Sequence, residues 1–262
     1  MRGTQIKFYK TDTEIKNASQ TRIKNIAKYA AKNIKKSDKV LDVLTGYANF
    51  LILLTKINKN RIIGIDNSDF ILREAKRNVK KEGLANLIVL KKVDARKMPF
   101  PNNYFDVVVN YGGWGDVVLT CGKIGIKKII KEMTRILKPN GKVIVSFVLI
   151  EIPRNKIETI DEKLQIYLYG KKRHYPKEYF ASELRRNKIK IISQKVFTFS
   201  PKRKGPDMTK KSLKKHQKEV NLEFGIKSRS YEQIWKRFGP FIEKNGYGFG
   251  KGIMVLVGQK SK

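Results

Sequence analysis

The sequence predicts a doubly wound α/β sheet, and three observations predict it. Short runs such as Val40–Leu44 and Ile62–Asp66 are apolar on both faces, the pattern of parallel strands covered from both sides. Amphipathic stretches with helical periodicity alternate with those runs. Turn signals separate them, most clearly Pro139-Asn140-Gly141.

The elements follow in order. Ile23, Ile26, Ala27, Ala30, Ala31 and Ile34 fall on one helical stripe, with Lys24, Lys28 and Lys32 on its polar side. Residues 1–36 are therefore a basic N-terminal helical extension. Strand Val40–Leu44 precedes a helix over Phe50–Ile57. Strand Ile62–Asp66 leads to a helix capped by Ser68 and running to Lys81. Leu87–Leu90 is a third strand and Phe105–Val109 a fourth. Ile126, Ile129, Ile130, Met133, Ile136 and Leu137 form another helical stripe, which stops at the Pro139 turn before strand Lys142–Val148. Tyr175–Arg186 predicts a helix, Ile189–Phe199 a strand, and Gly252–Val257 the last strand. The intervening stretch, about residues 200–249, is far longer than a hairpin needs. It is rich in lysine and includes a helix around Tyr231–Phe238.

The chain has 262 residues, with 58 Lys+Arg against 23 Asp+Glu and a formal charge of +35. Hydrophobic residues make up 40%, which excludes a disordered tail. The longest nearly apolar run, Val143–Ile152, is too short to cross a bilayer. No apolar segment follows Met1-Arg2-Gly3-Thr4, so the expected location is cytoplasmic. Cys121 is the one cysteine, so neither a disulfide nor a thiolate metal cage forms within the chain, and no metal is expected. The charge excess concentrates in the flanks: residues 1–36 carry +8 and residues 151–262 carry +17. That placement points to a polyanion, RNA, as partner.

In such a sheet, ligands sit beyond the carboxyl ends of the strands where strand order reverses. The turn after the first strand, Asp42-Val43-Leu44-Thr45-Gly46-Tyr47-Ala48-Asn49, holds a single glycine, so the three-glycine dinucleotide fingerprint fails. Asp42 just before the turn repels a pyrophosphate and attracts a cationic ligand. Asp66 closes the second strand, where a carboxylate can accept both ribose hydroxyls. Asp94-Ala95 follows the third strand, placed for the edge of an adenine. Each acid also has a plain structural role open to it, as a turn or helix cap. Asp106 lies at a strand start away from the ligand edge and is expected to be structural.

At these residues the chain resembles the class I S-adenosylmethionine-dependent methyltransferases, over about residues 38–200. Val40-Leu41-Asp42-Val43 and Ile63-Gly64-Ile65-Asp66-Asn67-Ser68 stand at the family's first two motifs. Val93-Asp94-Ala95 and Tyr104–Val108 follow in order, and Ile130–Val145 matches the family's helix, turn and fifth strand most specifically. The resemblance implies a Rossmann-like seven-stranded, mostly parallel sheet with a reversed last strand. It makes residues 37–262 the catalytic domain, with a basic insertion between the last two strands. It implies S-adenosyl-L-methionine as cofactor, held by Asp42, Leu44, Thr45, Gly46, Asn49, Asp66, Asn67, Asp94, Ala95, Asn110 and Tyr111. Leu44 and Ala48 depart from the family's glycines and crowd the turn where backbone approaches ligand.

The loop Asn110–Asp116 follows the fourth strand, where this family places its methyl acceptor. Tyr111 and Trp114 are candidates to stack on a base, against the alternative that Trp114 is core. His174 and Tyr175 precede a helix that borders the acceptor pocket, and Lys210, Lys211, Lys214 and Lys215 are candidate phosphate contacts. The loop lacks the Asn-Pro-Pro-aromatic signature of exocyclic amine methylation, and no Pro-Cys pair serves 5-methylcytosine formation. The leading expectation is an RNA methyltransferase acting on tRNA or rRNA. A methyltransferase for a small molecule or protein is the alternative, with a non-catalytic RNA-binding protein third. Displacement at a sulfonium needs alignment more than proton transfer, so no catalytic residue is assigned.

Overall fold

A computed structural model describes residues 8–9, 12–150, 156–198, 202–203, 214, 229–245 and 252–262. Its elements in chain order are β1 (Phe8–Tyr9), α1 (Asp12–Ala31), β2 (Val40–Val43), α2 (Asn49–Asn58), β3 (Ile62–Asp66), α3 (Asp69–Lys81), β4 (Ile88–Lys92) and β5 (Phe105–Tyr111). They continue with α4 (Trp114–Ile136), β6 (Leu137–Val148), α5 (Lys156–Tyr169), α6 (Lys177–Arg186), β7 (Ile189–Thr198), β8 (Lys202–Arg203), α7 (Tyr231–Asn245) and β9 (Gly252–Lys260).

Seven strands form one sheet in the order β4-β3-β2-β5-β6-β9-β7. All neighbours are parallel except those of β9, which runs antiparallel to both β6 and β7. The predicted Rossmann-like sheet with a reversed last strand is the observed one. Strand order reverses between β2 and β5, which pair directly through Val40↔Val107 to Asp42↔Val109. β1 and β8 pair in a separate two-stranded sheet.

The apolar runs bury both sheet faces. On one side Ile26, Ala27, Ala30 and Ala31 of α1 pack with α2 and α3 against β2, β3 and β5. On the other side α4 and α6 cover Leu41, Val43, Val108 and Val145. Ser68 caps α3 as predicted, its hydroxyl accepting from Ile71 N at 3.3 Å. Asp106 accepts from Lys39 N at 2.8 Å and pairs with Lys138 at 2.6 Å, remote from the strand tips that matter below.

Two helical pieces are longer or newer than the sequence predicted. α4 begins at Trp114, inside the stretch read as a glycine loop, and breaks at Gly122 (φ 63°, ψ −163°). α5 was not predicted at all. With α7 and Leu119 of α4 it forms a third cluster around Leu164, Leu168, Ile234, Phe238 and Ile242. Among the described residues no helix is long and apolar enough to cross a membrane. Of residues 200–249, only 202–203, 214 and 229–245 are described.

Candidate active site

The crevice at the strand-order reversal is bounded by the turn after β2. Leu44 (φ 60°), Gly46 (φ 54°) and Ala48 (φ 62°) are all left-handed there. For non-glycine residues that conformation costs roughly 1–2 kcal/mol each, so the turn keeps its shape against the preference of two side chains. It is held by Thr45 N donating to Ile65 O (2.9 Å), Ala48 N to Thr45 O (3.1 Å) and Gly46 N to Asp66 Oδ2 (3.1 Å). Ala48 is fully buried. Leu44 leans across the reversal onto the β5–α4 turn, where a Cβ added at Gly113 would lie 3.2 Å from Leu44 Cβ and Cδ1. Gly113 itself has φ 78°. Gly113→Ala therefore combines strain and a clash, and should lower stability by about 1–3 kcal/mol in urea unfolding. An unchanged midpoint would mean that Leu44 yields freely.

Three carboxylates face this crevice. Asp42 is 1% exposed. Thr45 Oγ1 donates to its Oδ2 at 2.6 Å, while its Oδ1 is buried without a partner. Burial pushes its pKa up to about 7; the Thr45 hydrogen bond opposes this and the charge of Asp66 adds to it. Asp66 is half-buried and accepts from Gly46 N and Ser68 N, both at 3.1 Å. Asp116, in the first turn of α4, was not singled out from sequence. Burial raises its pKa against the pull of Arg173, and Asp66 again contributes a like charge. Arg173 Nη2 binds Asp116 Oδ1 at 2.8 Å, and the guanidinium covers the Tyr169 ring at 4.5 Å. An acid in the first turn of a helix was the available signal; its partner, 57 residues on, was invisible.

The other predicted positions separate. Asn110 is buried and works as a strut: its Nδ2 donates to Val43 O (2.9 Å) and Gly112 O (2.8 Å), tying the tips of β2 and β5 together. Asp94 is clasped by Arg96, whose Nη2 lies 2.6 Å from Oδ2, and Ala95 is core. Asn49 and Asn67 are exposed at the heads of their helix and turn. Of the two readings of the Asn110–Asp116 loop, the structure has the one in which Trp114 is core. Tyr111 stacks on Phe50 (5.0 Å, 10°) on the α2 face, whereas Trp114 is 3% exposed and leans on Phe180 on the opposite face. Trp114 is therefore not free for a base, whereas Tyr111 is half-buried with one face against Phe50. Lys214 is exposed, its Nζ 4.7 Å above the Tyr231 ring; Lys210, Lys211 and Lys215 lie outside the described residues.

Beyond the β5–α4 turn opens a pocket of about 110 Å³, lined by Trp114, Phe147, Phe180, Arg173, His174 and Tyr175 among others. Phe147 and Phe180 stack at 4.2 Å and 15°, giving it a flat apolar wall. His174 and Tyr175 reach it because Pro176 occupies the cap of α6 in an extended conformation (ψ 160°). A residue before proline is held out of the helix, so the predicted helix from Tyr175 starts instead at Lys177. Burial, with Arg173 and Lys172 nearby, lowers the His174 pKa to about 4, so the ring is neutral. Burial raises the Tyr175 phenol.

Residues 40–141 match a family model described as a methyltransferase domain. The chain is 32% identical over 108 residues to a sterol 24-C-methyltransferase of Aspergillus fumigatus, covering 41% of this chain and 27% of that protein. It is 33% identical over 114 residues to a demethylmenaquinone methyltransferase of Geobacillus sp. strain WCH70, covering 43% and 46%. The chain thus spans less than half the length of these curated relatives. The crystal structure of a SAM-dependent methyltransferase from Methanosarcina mazei superposes with a TM-score of 0.60 at 15% identity, covering 88% of this chain and 95% of that one. The relatives are named for sterol and demethylmenaquinone acceptors. That finding overturns the RNA partner expected from the charge.

Proposed function

We propose, from the premise that this chain belongs to the class I S-adenosylmethionine-dependent methyltransferase family, that it methylates a small molecule held in the Trp114–Tyr175 pocket. The observation that carries this reading is the set of three carboxylates, Asp42, Asp66 and Asp116, around the strand-order reversal, with Asp66 adding a like charge to each of the other two. One of them keeps a buried oxygen without a partner. Such a crevice is unfavourable for a phosphate and suits a cationic nucleoside, so the residues present fit S-adenosyl-L-methionine. When bound, that cofactor supplies a methyl group on a sulfonium, a centre that already carries its leaving group.

The chain's own residues then do the following. Asp66 accepts the ribose hydroxyls while its contacts to Gly46 N and Ser68 N hold it in place. Asp42 sets the negative potential beneath the turn. Asp94 meets the adenine edge once Arg96 shares or yields its carboxylate. Asn110 keeps the tips of β2 and β5 in register, so that donor and acceptor sides stay aligned. Phe147, Phe180 and Trp114 exclude water from the acceptor side. The apolar pocket and the acceptors for which the relatives are named support a small molecule rather than a macromolecule.

Titration calorimetry tests this. S-adenosylhomocysteine and S-adenosylmethionine should each bind with one-to-one stoichiometry, and NAD should not. Heat from NAD alone would sink the reading.

A further inference from the structure

Part of the lysine excess gathers around one exposed isoleucine. Ile124 is 66% exposed, the most exposed large hydrophobic side chain among the described residues. It stands where α4 resumes after the break at Gly122. Lys127, Lys128 and Lys131 follow it at spacings of three, four and seven residues, so the four share one helix face, and all are exposed. Ile126, Ile129, Ile130 and Met133 occupy the opposite face, in the core. Lys123 extends the patch sideways: its Nζ lies 5.1 Å from the centre of the Tyr175 ring and 6.0 Å from that of Tyr179, and the two tyrosines pack at 4.7 Å. Acids on the adjoining segments are already paired, Asp94 with Arg96, Glu132 with Arg135 and Glu178 with Arg185. Phe70, at 55% the next most exposed, has a different surround: Asp69 and Glu74 stand beside it on α3, paired with Lys92 and Arg77.

Like charges at these helical spacings repel one another, and an isoleucine among them gains nothing from water. A nucleic-acid backbone would answer the lysines and leave the isoleucine where it was. An anionic bilayer answers both. Its headgroups attract the ammonium groups, its acyl boundary takes up the isoleucine, and tyrosines suit the zone between, with an apolar ring and a polar tip. We propose that this face of α4, with Tyr175 and Tyr179 beside it, docks on the surface of an anionic lipid membrane, lying on the bilayer without crossing it. Tyr175 also lines the pocket beyond the β5–α4 turn, so the docked face and the acceptor site share a side chain. That link rests on the proposed function; the docking does not.

The test is flotation of the full chain with vesicles of phosphatidylcholine, alone or with about 30% phosphatidylserine. Binding should be at least about 100-fold tighter with phosphatidylserine and should weaken as salt rises. Lys127→Gln, Lys128→Gln and Lys131→Gln together should weaken it about 100-fold, at about 1 kcal/mol per lysine. Neutralising Lys24, Lys28 and Lys32, exposed on α1, removes the same charge from outside the patch and should weaken binding about tenfold at most. Ile124→Ser should weaken vesicle binding at least about tenfold and leave any binding to polyuridylate RNA unchanged. Every substituted side chain is exposed, and thermal melts confirm folding. No binding to the phosphatidylserine vesicles, equal losses in the two lysine triples, or a vesicle affinity unmoved by Ile124→Ser overturns the inference. So does a patch that loses RNA affinity alone. Failure of S-adenosylhomocysteine to bind strikes the methyltransferase reading instead, and the vesicle series still decides this one.

Discussion

Asp66→Asn should weaken S-adenosylhomocysteine binding by about 100-fold or more while lowering the melting temperature by less than Asp66→Ala does. Hydrogen bonds to a charged group contribute about 1.5–3 kcal/mol each. A ribose offers two hydroxyls to one carboxylate, so the pair amounts to about 3 kcal/mol or more, and each 1.4 kcal/mol is about tenfold. The same carboxylate receives Gly46 N and Ser68 N, so a loss of affinity alone would not distinguish ligand contact from a loosened turn. Asparagine and alanine together separate the two. Asparagine keeps the side-chain shape and an oxygen for one of the two backbone donors, which use different carboxylate oxygens, but removes the charge and one acceptor. Asp66→Ala, which removes both roles, should lose the affinity and several degrees of stability as well. If Asp66→Asn binds the nucleoside as well as the parent chain, the ribose does not lie on Asp66.

The parts of this site that were legible in the sequence are those set by local rules. Alternation of apolar runs with 3.6-residue stripes marks the sheet and its helices, and acids at the tips of β2 and β3 follow from where those runs end. The N-terminal half of α4 was hidden by its glycines. Gly112, Gly113 and Gly115 suggested a loop, although Trp114, Val117 and Val118 at spacings of three and one carried a helical stripe that buries all three. α5 was hidden because its apolar residues pack on α7 and Leu119 rather than on the sheet, so its periodicity answers to partners far along the chain. The same holds for chemistry. The Asp116–Arg173 pair and the Phe147–Phe180 wall join residues from separate elements, and no window of sequence contains either. Net charge misled for a related reason: +35 describes a surface in sum, whereas stacking on a base depends on particular rings, and Trp114 is in the core.

Asp42 makes the sharpest demand on the energetics. In the unfolded chain its carboxyl titrates near the ordinary 3.8, and in the fold near 7, chiefly because burial penalises the charge. Between those values the folded chain carries a proton that the unfolded chain lacks, so this group's contribution to stability falls as pH rises from about 4 to about 7 and stays low above it. Full ionisation in place corresponds to about 4 kcal/mol at most, from about three pH units at about 1.4 kcal/mol each. Asp42→Asn removes that penalty. Urea unfolding should find the variant close to the parent at pH 4, where Asp42 is protonated, and more stable by about 2–4 kcal/mol at pH 8. Parallel stability curves across that range would mean that Asp42 is not desolvated in the fold. On the proposed function, the positive charge of the cofactor offsets the cost of this carboxylate. A positively charged cofactor favours the ionised form, so S-adenosylmethionine binding near pH 7 should release a fraction of a proton. Calorimetry in two buffers of different ionisation enthalpy measures that release, and in Asp42→Asn it should vanish along with at least about tenfold of the affinity.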